Sequence, residues 1–196
     1  MTGTQPEPTE RLFTAVPLPE PVREFTAGII DELSGIVEGV RWVPRENLHV
    51  TLRFLGQCSA RNIPTLVDWM EKAARQLPES VEVGGVGGFP SQGSARVVWV
   101  GVTDLSGGIE KVYNVLDKGA GRCGLGREKR KYRPHITIGR ARKRPVRLTP
   151  GLDESSGAKT IHMEAPQIVL YRSDLSSTGA VYTEIARTGP GPVHKL

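Results

Sequence analysis

Apolar residues recur along the chain with two spacings, the alternate spacing of strands and the three-to-four-residue spacing of helices. The alternating segments predict strands at residues 11–16, 40–44, 48–56, 81–86, 95–102, 134–138, 161–171 and 180–186. The helical spacing predicts helices at residues 21–37, 60–77 and 108–118, the last of them ended by Gly119. Because strands and helices do not alternate regularly, this order predicts an α+β fold rather than a parallel Rossmann sheet.

The two halves of the chain resemble each other, since each contains a predicted helix and a strand with the tripeptide His-x-Thr. No low-complexity linker separates them, so we expect one domain of two lobes over residues 10–187. The flanking residues 1–9 and 188–196 are predicted to be flexible tails.

The composition is that of an ordinary globular protein, with 38% apolar and 24% charged residues in 196. No apolar run approaches the roughly 20 residues that a membrane-spanning helix needs, and no secretory leader is evident. Cys58 and Cys123 form neither a disulfide framework nor a zinc-binding pair. These features predict a cytoplasmic protein without contact with a membrane, and we expect it to be a monomer.

The positive charge is concentrated in one segment. Residues 122–147 contain eleven Lys or Arg residues and a single acid, Glu128, which gives a net charge of +10 against +5 for the whole chain. Such a segment is either a solvated face or a surface for a polyphosphate such as RNA.

Other motifs predict no chemistry. Residues 119–124 fit G-x-G-x-x-G but follow a predicted helix instead of a strand, which favours a helix end and a loop over a nucleotide site. His162 has no partner at a useful spacing, and His194 lies in the predicted tail. Carboxylates do not cluster near the two remaining histidines, so we expect no metal and no other cofactor.

Those two histidines occur in matching strands, Leu48-His49-Val50-Thr51-Leu52 and Pro134-His135-Ile136-Thr137-Ile138. Side chains alternate between the faces of a strand, so each His and Thr should share the polar face above an apolar one. If the strands adjoin, two imidazoles and two hydroxyls meet in one cleft. One imidazole can then give a proton while the other takes one, and the hydroxyls can bind phosphate oxygens.

Several longer segments resemble a known family, the 2H phosphoesterases, and within it the bacterial and archaeal RNA 2′,3′-cyclic phosphodiesterases, long called 2′-5′ RNA ligases. The similar segments are RLFTAVPLP, WVPRENLHVTLRFLG, GGFPSQGSARVVWVGV, YRPHITIGRAR and YRSDLSSTGAVYTEI. The resemblance spans nearly the whole chain. It implies a bilobal fold with two pseudo-symmetric lobes of antiparallel strands, outer helices, a central cleft and a metal-independent reaction.

The resemblance also implies residue roles. His49 would be the proton donor and His135 the proton acceptor, an assignment on which the near-symmetric sequence alone is silent. Thr51 and Thr137 would bind the phosphate. Substrates would be RNA with 2′,3′-cyclic phosphate ends and 2′,3′-cyclic nucleotides, opened to 2′-phosphates, with weak reverse 2′-5′ ligation.

Arg140 and Phe54 each lie five residues after a histidine and would bind the phosphate and a base, respectively. Strict alternation puts them on the opposite face from their histidines, so they can serve only if both strands twist or bulge. Core packing is the alternative role for Phe54. Two other functions stay open, an RNA-end-binding module without turnover and a metal hydrolase that uses both histidines as ligands.

Overall fold

The computed structural model describes residues 8–148, 159–164, 167–175, 179–189 and 194–195. The elements follow one another as β1 (Thr9–Pro17), α1 (Glu20–Ser34), β2 (Val40–Trp42), β3 (His49–Ser59), α2 (Ile63–Ala74), β4 (Ser80–Phe89), β5 (Val97–Thr103), α3 (Gly108–Arg122), β6 (His135–Ala141), β7 (Thr160–Glu164), β8 (Ile168–Leu175), β9 (Ala180–Thr188) and β10 (His194–Lys195). The α+β class predicted from the hydrophobic pattern is confirmed.

The strands form one antiparallel sheet in the order β10-β9-β8-β1-β3-β6-β5-β4-β7, and β2 adds to β6. Its centre is the contact between β3 and β6, which pair at Val50 and Ile136 alone. The strands on either side of this contact define two lobes, the β3 lobe (β1, β3, β8, β9 and β10) and the β6 lobe (β2, β4, β5, β6 and β7). The weak central pairing leaves room for a cleft between them.

Each lobe is covered by helices. Helix α1 packs on β2 and β7 in the β6 lobe, whereas α2 and α3 pack on each other and against β3, β8 and β9. A side chain at Gly119 would approach the Trp69 ring to 2.5 Å, so this glycine permits close contact between α2 and α3. No helix among the described residues is long and apolar enough to cross a bilayer.

Two sequence predictions about element ends are wrong. Helix α3 does not stop at Gly119 but continues to Arg122. The glycine with a left-handed backbone comes later, at Gly124, where φ is +74°. Gly119 is required for helix packing, and sequence spacing alone does not distinguish that role from a cap.

The single strand predicted over residues 161–171 is two strands, β7 and β8. They lie far apart in the sheet, because β7 pairs with β4 and β8 pairs with β1. The sequence between them contains a proline, which cannot donate a ladder hydrogen bond.

The ends of the folded region extend slightly beyond the predicted domain of residues 10–187. Thr9 opens β1 and Thr188 closes β9, while residues 194–195 form β10 against β9. The rest of the predicted tails, apart from Pro8 and Gly189, lies outside the described residues.

Candidate active site

The two His-x-Thr tripeptides lie side by side at the centre of the sheet. His49, Thr51, His135 and Thr137 are half-buried, and the residues between them are fully buried. Each polar pair therefore occupies one face of its strand, as the alternation predicts. Because β3 and β6 are antiparallel, Thr51 lies toward His135 and His49 toward Thr137.

Both imidazoles are held in the same way. The Nδ1 of His49 donates to the carbonyl oxygen of Asn47 at 2.8 Å, and the Nδ1 of His135 donates to the carbonyl of Arg133 at 2.7 Å. A carbonyl oxygen can only accept, so each bond fixes the hydrogen on Nδ1. Nε2 is left as the nitrogen that can exchange a proton with a ligand.

The site disfavours positive charge on either ring. Burial, the largest cause, and the positive charges of His135 and Arg140 together lower the pKa of His49 to about 4, against the raising effect of the Asn47 carbonyl. Burial also lowers the pKa of His135, with Arg140 acting in the same direction. Both rings are therefore neutral at pH 7 in the empty cleft, and an anion bound nearby would favour their protonation.

Matching β-bulges bring Phe54 and Arg140 to the histidine face. In the pairing of β3 with β1, Leu52 has no partner, and Leu52 and Arg53 are buried in succession. In the pairing of β6 with β5, Ile138 has no partner, and Ile138 and Gly139 are buried in succession. Each bulge shifts the alternation by one residue. Phe54 and Arg140 could reach the histidine face only if both strands twist or bulge. Both strands do bulge, at the same offset from their histidines.

Five of the six predicted site residues line one cavity of about 800 Å³, namely Thr51, Phe54, His135, Thr137 and Arg140. His49 lies beside this cavity and is within electrostatic reach of His135 and Arg140. Phe54 is 54% exposed, which contradicts a role in core packing.

The two histidines differ in their ring contacts. His49 lies 5.0 Å from the Phe13 ring and 5.4 Å from the Tyr182 ring, measured between centroids. His135 lies 5.0 Å from the Phe89 ring and 6.3 Å from the Trp99 ring. Two aromatic rings near each imidazole limit its rotation.

Sequence reasoning missed a buried ion network behind the cleft. Asp117, 2% exposed, accepts from the Nε of Arg53 and from the Nε of Arg127, each at 2.9 Å. Arg53 also donates to the carbonyls of Phe54 and Gly126. The network fastens the loop after α3 to the bulge of β3. An arginine inside the apolar run of residues 52–55 was the available signal.

A second attachment of that loop reaches the catalytic strand directly. The Tyr132 hydroxyl donates to the carbonyl oxygen of Thr51 at 2.9 Å, and its ring stacks on Tyr113 with centroids 4.3 Å apart. The loop is therefore a fixed wall of the cavity.

The remaining sequence candidates lie elsewhere. His162 is exposed on β7, opposite Glu82 at the far edge of the sheet, and Cys58 and Cys123 are free thiols. Within the described ranges, no group of His, Cys, Asp and Glu could hold a metal ion.

Comparison with known proteins agrees with this geometry. The family model of the LigT-like phosphoesterases matches residues 16–99. An RNA 2′,3′-cyclic phosphodiesterase of Archaeoglobus fulgidus is 33% identical, over 89% of this chain and 97% of the relative. The enzyme of the same name from Thermotoga maritima is 32% identical, over 88% of this chain and 91% of the relative.

Solved structures show the same fold. Apo LigT of E. coli superposes with a TM-score of 0.69 at 29% identity, covering 91% of this chain and 96% of LigT. LigT complexed with 3′-AMP gives 0.72 at 26% identity, covering 94% of this chain and all of LigT.

Proposed function

The chain belongs to the LigT-like phosphoesterase family, and from that membership we propose how its cleft opens a 2′,3′-cyclic phosphate. The protein is a 2′,3′-cyclic phosphodiesterase, as its relatives of that name and the LigT fold support. The observation that carries the mechanism is the pair of equivalent imidazoles, each fixed at Nδ1 by a carbonyl two residues before it.

The phosphate binds between the two strands. Thr51 and Thr137 donate their hydroxyl hydrogens to its non-bridging oxygens, one from each lobe. Arg140, brought to the same face by the bulge of β6, adds a charged and potentially two-pronged contact. The base of the terminal nucleotide stacks on the exposed ring of Phe54.

His49 is the proton donor and His135 the proton acceptor. His135 Nε2 removes a proton from water, whose oxygen attacks phosphorus. The bond from phosphorus to O3′ breaks on the opposite side, and His49 protonates the departing oxygen. The product is a 2′-phosphate with a free 3′-hydroxyl. In-line displacement needs the two groups on opposite sides of phosphorus, and opposing strands of a two-fold cleft supply that arrangement.

The substrate itself supplies the protonation state. Both rings are neutral in the empty cleft, whereas the donor must be charged. A bound phosphodiester carries a negative charge that raises the pKa of a nearby imidazole. The donor is thus charged when the bound substrate is there to receive its proton.

The proposal includes RNA ends and cyclic nucleotides as substrates and a monomer that works in the cytoplasm. Two free cysteines suit a reducing compartment. An RNA-binding module does not need two imidazoles fixed in the same tautomer beside two hydroxyls. A metal hydrolase would need further ligands beside the two histidines, and among the described residues no group of His, Cys, Asp and Glu could hold a metal ion.

The deciding experiment is product identification. Purified protein is incubated, with excess EDTA, with an oligonucleotide that ends in a 2′,3′-cyclic phosphate, and the product is identified by phosphorus NMR. We expect the 2′-phosphate alone. A mainly 3′-phosphate product would reverse the placement of acid and water. Activity lost to EDTA and restored by zinc would favour the metal hydrolase, and tight binding without any cleavage would favour the binding module.

A further inference from the structure

Two arginines face each other across neighbouring strands at one end of the cleft. Arg41 of β2 is the direct partner of Arg140 of β6 in the antiparallel ladder, and both side chains are exposed. Directly opposed residues of such a pair project on the same face with their Cβ atoms about 5 Å apart. Like charges at this position are destabilising, so the pair is costly to the free protein.

A third arginine lies on the other side of Arg140. Val97 of β5 is the partner of Arg140 in the next ladder, and Arg96 immediately precedes it. Arg96 is exposed and lines the same cavity as Arg140. Arg140 is thus flanked by two more cations, Arg41 on β2 and Arg96 directly before β5.

These three cations have no counter-ion among the described residues, unlike two arginines of the loop after α3. Within the described part of the chain, no carboxylate pairs with Arg41, Arg96 or Arg140. By contrast, Arg130 pairs with Glu128 at 3.0 Å, and Arg127 pairs with Asp117. A cluster of guanidinium groups beside a phosphate site, without any acid to neutralise it, has the charge distribution that a further anion would complete.

We propose that Arg41 and Arg96 form a second phosphate subsite, which binds an internucleotide phosphate of the RNA strand. The inference rests on the proposed function, because it extends the same cleft beyond the reacting phosphate. The preferred substrate is therefore an oligonucleotide with a 2′,3′-cyclic end, and a cyclic mononucleotide leaves the subsite empty.

The geometry places this subsite away from the base. Since β3 and β6 run in opposite directions, the bulge that presents Phe54 and the bulge that presents Arg140 lie at opposite ends of the cleft. The terminal base occupies the Phe54 end, the reacting phosphate lies at the centre, and the strand continues toward Arg41 and Arg96.

The other exit from the cleft passes the loop after α3. Lys131 and Arg133 line the cavity there, together with Arg130 and Glu128, which pair with each other. Among the described residues, this exit thus also has two cations without a carboxylate partner. What favours the route past Arg41 and Arg96 is the opposite direction of the strands, which puts Phe54 and its stacked base at one end of the cleft and Arg140 at the other.

The test compares the double variant R41A/R96A with wild type on two substrates, adenosine 2′,3′-cyclic phosphate and a triadenylate that ends in a 2′,3′-cyclic phosphate. For the triadenylate, we expect kcat/KM to fall about tenfold, since two exposed charge-assisted contacts are lost. For the mononucleotide, kcat/KM should stay within about twofold. The binding constant for the triadenylate should also depend less on salt. The slope of log K against log salt concentration should become less negative by about 0.7, the value for one phosphate contact of a single strand.

Two matched double variants serve as controls. R75A/K118A removes the same charge from two exposed positions outside the cavity lining, directly after α2 and on α3, and should change the kinetics of neither substrate. K131A/R133A removes the cations of the other exit. If this variant, rather than R41A/R96A, loses the triadenylate preference, the strand leaves past the loop and the proposal is wrong.

Other outcomes are equally decisive. Equal losses on both substrates, or no preference of wild type for the triadenylate, would reject the subsite while the phosphodiesterase function stands. If wild type cleaves neither substrate, the proposed function fails, and titration with the 2′-phosphorylated triadenylate still tests the subsite through binding. The free R41A protein should melt no lower than wild type, because it loses only a like-charge neighbour.

Discussion

The two lobes of the cleft share one backbone design but surround it with different side chains. In both β3 and β6, a histidine donates from Nδ1 to the carbonyl two residues earlier, a threonine follows at the same spacing, and a bulge falls at the same offset. The residue that each bulge presents differs, Phe54 in one strand and Arg140 in the other.

The surroundings differ as well. His49 lies against Phe13 and Tyr182, in an aromatic cluster that Tyr171 completes. His135 instead lies near Phe89 and Trp99, on the strand that bears Arg140. Burial lowers the pKa of both rings, in His49 as far as about 4.

In the proposed mechanism, the shared backbone holds two imidazoles in equivalent positions as proton carriers, and the unlike side chains orient the substrate between them. The proposal assigns to Phe54 at one end and Arg140 at the other the choice of which ester oxygen faces which imidazole. It thus derives the acid–base chemistry from the symmetric part of the cleft and the regiochemistry from the asymmetric part.

The largest expected effect on turnover comes from removing either of the two histidines. We expect His49→Ala and His135→Ala each to lower kcat by about 10²–10⁴-fold, because each loses one general acid or base. Thermal unfolding serves as the control, since both rings are half-buried. A folded variant with near-normal turnover would contradict the two-imidazole mechanism.

The next prediction concerns the buried ion network that joins Arg53 of β3 to Asp117 of α3. Asp117→Ala leaves the buried Arg53 without its carboxylate, and loss of one partner of a buried pair costs about 3–5 kcal/mol of unfolding free energy. Denaturant unfolding measures this loss. Arg127, whose side chain is 67% exposed, contacts the same carboxylate, and Arg127→Ala should cost less than about 1 kcal/mol. Equal losses for both variants would mean that the network is not centred on Arg53.

The sequence predicted the symmetric part of this site better than the asymmetric part. His49, Thr51, His135 and Thr137 carry a local signature, since alternation alone gives the face of each side chain. From the sequence, a bulge in each strand could be stated only as a requirement for Phe54 and Arg140 to reach the site. The bulges themselves depend on pairing with β1 and β5, which local spacing does not show. The Arg53–Asp117 contact joins residues 64 positions apart and leaves no periodic signal.

In the fold, too, the sequence predicted the features that depend on local spacing and missed those that depend on distant contacts. Amphipathic spacing located each α-helix of the described residues and most of their strands. It failed at Gly119, whose role depends on Trp69 of another helix, and over residues 161–171, where two strands belong to opposite lobes of the sheet.

A smaller effect, on KM, is expected from Phe54, the residue that the bulge of β3 presents where the bulge of β6 presents Arg140. Phe54→Ala should raise KM for cyclic nucleotides by an amount equivalent to about 1–3 kcal/mol, the usual contribution of stacking on one base. Phe54→Tyr retains the ring and should bind nearly as wild type. Because the side chain is 54% exposed, stability should hardly change. A large loss of stability with unchanged KM would restore core packing as its role.

The smallest effect tests the electrostatic difference between the free and the occupied cleft. The profile of kcat/KM reports the free enzyme, where burial and Arg140 lower the pKa of His49 to about 4 and lower that of His135. The profile of kcat reports the complex, in which the phosphate anion raises both values. Both profiles should be bell-shaped, with the optimum of kcat/KM at the lower pH. Arg140→Gln removes a positive charge that disfavours imidazolium, so both pKa values should rise and the kcat/KM profile should move to higher pH. Arg75→Gln, directly after α2 and outside the cavity lining, should leave the profile unchanged. A profile that moves to lower pH in Arg140→Gln would mean that Arg140 does not act on these histidines through its charge.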